Sequence, residues 1–123
     1  MSQQPDENRV FDQKCRSLLD ENGVRFVGVI NSMGRQVAGG YRGNITPLVD
    51  AEEHKISLEH ALEILITKDL DESLGSIDSI ITRRKKVTMI TIPMERSSLL
   101  ISVERDSDAE KIVNTASKLF EIR

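Results

Sequence analysis

The stretch Asn22–Tyr41, NGVRFVGVINSMGRQVAGGY, decides the fold. Val24 to Ile30 is β-branched and aromatic, with apolar residues at both odd and even positions, the pattern of an inner strand covered on both faces. Asn31, Ser32, Met33 and Gly34 form a turn cluster, and Arg35 to Tyr41 resumes the extended pattern. The pair is therefore a hairpin with a short loop. Gly39 and Gly40 weaken its second strand and leave room for a bulge or a closely approaching chain, and the bulge is the expected reading.

Upstream, Val10, Phe11, Cys15, Leu18 and Leu19 recur at helical spacing, which predicts a helix over about Asp6 to Glu21, stopped by Asn22 and Gly23. Downstream, Thr46-Pro47 suits a helix start, with proline at the first helical position. A helical region with breaks then runs to about Leu70, its clearest stripe being Leu58, Ala61, Leu62, Leu65 and Ile66. The segment LDESLGS, Leu70 to Ser76, reads as its exit. Ile77 to Thr82, Val87 to Ile92 and Leu99 to Val103 form a three-stranded meander. Ser107 and Glu110 have the spacing of a capping box, and Ala109, Ile112, Val113, Ala116, Leu119 and Phe120 form the stripe of the last helix.

The order α-β-β-α-β-β-β-α, with no helical crossover inside the hairpin or the meander, implies an α+β fold: a five-stranded, mainly antiparallel sheet with helices on its faces. At 123 residues with 38% apolar content this is one domain, expected over residues 6–123 behind a frayed start at 1–5. The net charge of -3 gives no general reason to expect nucleic acid or an anionic membrane as partner. No apolar run approaches the ~18 residues of a membrane span, and Met1 to Asn8 lacks the basic and apolar regions of a signal peptide, so a cytoplasmic location is expected. Cys15 is the only cysteine, and its place on an apolar stripe reads as a small buried hydrophobe.

NGVRFVGVINSMGRQVAGGY and the later VTMITIPMERSSLLISVERDSDAEKIVNTASKLFEI, Val87 to Ile122, resemble the opening hairpin and the closing strand, turn, strand and helix of the Roadblock / dynein light chain superfamily, a profilin-like fold. A closer likeness is to short archaeal proteins that share a glycine-rich second strand (Val37 to Tyr41), a D-x-x-x-x-L-G helix exit (Asp69 to Gly75) and a TIP strand end (Thr91 to Pro93). That closer likeness implies no activity. The superfamily implies non-enzymatic adaptors and small-GTPase regulators that dimerise through the middle helix and an edge strand. Two features depart from it: the acidic residues Asp50, Glu52 and Glu53 before the middle helix, and the basic cluster Arg83, Arg84, Lys85 and Lys86.

Few residues could carry chemistry. His54 and His60 are six apart, and neither belongs to an H-E-x-x-H or i, i+4 metal pair; His60 with Glu63 reads as a solvated surface contact. Gly34, Gly39, Gly40 and Gly43 match neither phosphate-binding glycine motif, and no G-x-S-x-G is present. No cofactor and no metal are expected, and the chain is expected not to be an enzyme. The basic cluster reads as a solvated hairpin tip, with an acidic protein surface as the alternative occupant. Nucleic acid ranks behind both, because aromatics for base stacking are scarce.

The reading that follows is a regulatory or scaffolding interaction module that works as a dimer, on a small GTPase or another signalling partner. Ile56, Leu58, Leu62, Ile64, Leu65 and Ile66 make the middle helix apolar around more of its circumference than one sheet face requires. Leu58, Leu62, Ile64, Leu65 and Ile66, with Ile77 and Ile80 on the edge strand, are therefore the expected dimer interface, with a second copy or a related subunit. The alternative is a ligand-sensing domain of profilin-like or PAS-like kind, with its pocket between sheet and middle helix near the small residues Gly28, Ala38, Gly39 and Gly40.

Overall fold

From Val24 to Ile30 every residue of β1 (Val24–Asn31) is buried, as an apolar strand with two covered faces demands. The structure, a computed structural model, describes residues 5–43 and 52–122. β1 pairs with β2 (Gln36–Tyr41) on one side and with β5 (Ser97–Glu104) on the other. β4 (Val87–Pro93) and β3 (Ile80–Arg83) complete a wholly antiparallel sheet of order β2-β1-β5-β4-β3. The fold is α+β, as the order of elements implies.

α1 (Pro5–Leu19) and α4 (Ala109–Leu119) cover one face, where Cys15, Leu18, Val27, Val29, Ile101 and Ile112 belong to the larger core. α2 (Glu52–Ile66) lies over the other face, on a smaller cluster of Phe26, Ile30, Val87, Met89 and Leu100. A 3-10 turn, Lys68–Leu70, and the four-residue α3 (Asp71–Leu74) follow it. The segment read as a helix exit thus carries one more helical turn before Gly75. The expected frayed start lies outside the described residues except Pro5, which opens α1. The helix start at Thr46-Pro47 and the acidic Asp50 lie outside them as well.

Several local expectations are corrected by packing. Val10 turns outward and is 46% exposed, so the α1 stripe narrows to Phe11, Cys15, Leu18 and Leu19. The third strand starts at Ile80 rather than Ile77 and runs on to Arg83, because its ladder with β4 begins at Ile80 opposite Thr91. The hairpin bulge falls beside the glycines, not on them: Val29 pairs with Ala38 and Ile30 with Gln36, which leaves Val37 as the extra residue. Gly39 serves close approach instead. Its φ is +91°, a Cβ on it would stand 2.0 Å from the carbonyl oxygen of Val27, and its N–H donates to the Asp12 carboxylate at 2.9 Å. That bond, ahead of the bonds from Arg16, holds the Asp12 carboxyl below its usual range against the opposing effect of burial.

The cap of the last helix is Asp108, one residue later than the capping-box reading placed it. Its carboxylate accepts the Lys111 N–H at 3.1 Å. Ser107 is held in the preceding turn: its N–H bonds the Glu104 carbonyl at 2.9 Å, and its hydroxyl fills the space beside Gly23, where a Cβ would come within 2.2 Å. A carboxylate at the cap also complements the helix dipole. Asp108→Ala is therefore expected to cost about 1 kcal/mol. Ser107→Ala should stay within about 0.5 kcal/mol of the parent. Urea midpoints followed by circular dichroism check both, and equal losses would return the cap to Ser107.

Candidate functional site

α2 rests on the sheet through a narrow line, Ile56, His60 and Ile64, one helical turn apart. Ile56 and Ile64 are half-buried, and His60 is 2% exposed. The stripe with the most apolar residues points the other way. Leu58, Leu62, Leu65 and Ile66 are 56%, 55%, 69% and 66% exposed, so the expected core stripe is the helix's outer face. Of the expected interface residues on α2, Ile64 alone is half-buried, and it lines a groove with Leu58, Pro93 and Met94. Ile77 lies half-buried ahead of β3, and Ile80 opens that strand.

His60 is no surface residue. One ring nitrogen, Nδ1, contacts the Thr91 hydroxyl on β4, and Nε2 lies 3.1 Å from the Thr82 hydroxyl on β3. Two hydroxyls that can each donate or accept make burial of an imidazole affordable. The Glu63 contact expected from sequence is thereby corrected. Glu63 is exposed and acts on His60 only through its field. Desolvation pushes the His60 pKa below its usual value, Glu59 and Glu63 oppose this, and Arg84 adds to it.

The lowered pKa makes buried His60 a pH-dependent contributor to stability. The unfolded chain takes up the histidine proton at about pH 6.5, before the folded chain does, so this contribution is full above that pH and is lost as the pH falls below it. The urea midpoint is expected to be lower at pH 5.5 than at pH 7.5, and the difference should shrink in His60→Gln. A difference unchanged in that variant would assign the effect to other groups.

β3 is the sheet's outer strand beyond β4, and its far edge has no strand partner among the described residues. Its end and the following turn carry Arg83, Arg84, Lys85 and Lys86, all exposed. The Arg83 guanidinium donates to the Arg105 carbonyl at 2.7 Å. The Arg84 N–H bonds the Val87 carbonyl at 2.8 Å, closing a tight turn with Lys85 and Lys86 at its centre.

The small residues read as a pocket are occupied differently. A Cβ on Gly28 would meet the Phe26 ring at 2.6 Å, so that ring already fills the place on the sheet. Phe26 stacks in turn on Tyr41, with ring centroids 4.8 Å apart. Ala38 belongs to the core on the opposite face, and Gly39 presses on β1. The groove between α2 and the sheet lies instead toward the β1–β2 and β4–β5 turns. It has a volume of about 430 Å³, with Ile30, Met33, Leu58, Ala61 and Met94 in its lining. Cys15 is fully buried, and burial followed by the nearby Asp12 charge pushes its thiol up to about 12. Among the described residues no cluster of three His, Cys, Asp or Glu side chains could hold a metal, and no helix is long and apolar enough to cross a membrane.

A family profile described as a family of unknown function, DUF6659, matches residues 5–121. No curated protein matches the sequence significantly. Solved structures share the fold. A Roadblock/LC7 domain from Streptomyces avermitilis superposes with a TM-score of 0.67 at 12% identity, over 89% of this chain and 91% of that one. MglB in a tetrameric arrangement gives 0.73 at 15%, over 99% and 93%. The gliding protein MglB from Thermus thermophilus gives 0.67 at 14%, over 100% and 96%. The fold is that of the Roadblock/LC7 domain.

Proposed function

The chain belongs to the DUF6659 family, whose description assigns no activity, and we propose that it is a non-catalytic interaction module, regulatory or scaffolding, that works as a dimer. The observation that carries this reading is the outer face of α2, where Leu58, Leu62, Leu65 and Ile66 are all more than half exposed. A contiguous apolar face on a helix beside a strand edge that has no strand partner among the described residues marks an association surface. Cys15 is sealed in the core, and both ring nitrogens of His60 are engaged by threonines, so neither is offered to a substrate. One of the MglB structures has a tetrameric arrangement, which supports assembly as the way this fold acts here.

The partner across α2 and β3 is a second copy or a related subunit, and the superfamily likeness favours a small GTPase or another signalling protein as the dimer's client. Residues 6–123 act as one domain in the cytoplasm. Kinship with the short archaeal proteins rests on Val37 to Tyr41, Asp69 to Gly75 and Thr91 to Pro93. Sedimentation equilibrium at micromolar concentration tests the proposal. It should give the mass of two chains, and the mass of one chain would overturn it.

A further inference from the structure

The open edge of β3 carries opposite charge at its two ends. Beyond its last residue stand Arg84, Lys85 and Lys86, exposed, and no acidic side chain among the described residues pairs with them. The turn that holds them contains no residue of positive φ, and nothing in its geometry calls for cations. Ahead of its first residue stands the exposed Asp78. Asp71 is partly neutralised by Lys68 at 3.8 Å, and both line one pocket with Asp78.

Within one chain these two ends do not help each other. Asp78 and Arg84 are separated by about 20 Å of extended backbone at ~3.3 Å per residue. That is more than twice the screening length of about 8 Å at physiological salt. A twofold axis changes the arithmetic. Residues directly opposed in an antiparallel pair point to the same side of the sheet, so an axis perpendicular to the sheet must pass through a residue position rather than between two. Centred on Ile81, it sets Asp78 opposite the partner's Arg84. Centred on Thr82, it would set Asp78 opposite a position where the partner's chain has already turned back toward β4, so the Ile81 register is the one that pairs Asp78 with a cation at the strand end. The Asp78–Arg84 contact occurs twice in such a pair, while a parallel pairing of the two edges would set like charges side by side.

We propose that the acidic partner of the basic tip is a second copy of this chain: Arg84 of one protomer clamps Asp78 of the other, Lys86 on the adjoining turn adds to the positive field there, and the clamp selects the antiparallel register of the paired β3 edges centred on Ile81. The proposal rests on the dimer reading above and adds the residues that choose the partner. Charge pairs of this exposed kind contribute modestly to affinity and strongly to orientation.

The test uses the full chain, Asp78→Lys, and Arg84→Glu with Lys86→Glu, by sedimentation equilibrium in 50 and 500 mM NaCl. Each variant should dimerise about tenfold more weakly than the parent at low salt, and the parent should weaken by about as much at high salt. Mixing the two variants restores opposite charge at both contacts, so a heterodimer of nearly parental affinity is expected. All three positions are exposed, and the parent's salt dependence stands as a readout should a variant fail to fold. A parent dimer insensitive to salt, or a mixture no tighter than its components, would overturn the clamp and leave the dimer standing. A monomeric parent would overturn both.

Discussion

Gly39→Val is expected to cost about 3 to 5 kcal/mol, a large share of the stability of a domain of this size. The loss has three sources. At φ +91° an L side chain is strained by roughly 1 to 2 kcal/mol. A Cβ there would stand 2.0 Å from the Val27 carbonyl oxygen and 2.9 Å from the Gly28 Cα, both backbone atoms of the central strand, so relief requires β2 to move away from β1. That movement breaks the Gly39 N–H bond to Asp12, which ties the hairpin to α1, and a bond to a charged acceptor is worth about 1.5 to 3 kcal/mol. Gly40 is the internal control. It lacks positive φ, and nothing lies within 4 Å of a Cβ built on it, so Gly40→Ala should stay within about 1 kcal/mol of the parent. Urea titration of the two variants reads the difference directly. Similar midpoints would mean that β2 shifts at little cost and that the close approach is not a constraint.

The contrast between these neighbouring glycines was not visible in the sequence, which shows two small residues and no carbonyl above either. The sheet was legible for a physical reason: VRFVGVI has no polar face, and only a central strand satisfies that. The last helix was legible because Ala109, Ile112, Val113, Ala116 and Phe120 leave one consistent face, and all five are buried. α2 was read inside out because periodicity ranks faces by apolar content. Leu58, Leu62, Leu65 and Ile66 outweigh a line whose middle member is a histidine. Burial of that line depends on Thr82 and Thr91, which are distant in sequence and arrive only when β3 and β4 pair. His60 nevertheless left a trace, since it stands one helical turn from Ile56 and from Ile64, the two apolar residues that the stronger stripe could not accommodate.

Leu62→Asp combined with Leu65→Asp is expected to abolish dimerisation at micromolar concentration while leaving the fold intact. Both side chains are more than half exposed in the single chain, so a carboxylate at either position remains in water and costs the monomer little. In a dimer that buries this face the same carboxylates would be desolvated without partners near the twofold, which places them at the centre of the interface rather than its polar rim. A weakening of about a hundredfold or more is expected, read as a shift from two-chain to one-chain mass with unchanged circular dichroism. Ile64→Asp separates this from a general loss of apolar character. Ile64 is half-buried on the side of α2 that meets the sheet, so its replacement should lower the urea midpoint, since it forces a charge under the helix beside Pro93 and Met94. If the outward pair destabilises the single chain as much as Ile64→Asp does, the outer face is part of the monomer's own packing. If the double variant folds and still sediments as two chains, the chains associate through another surface.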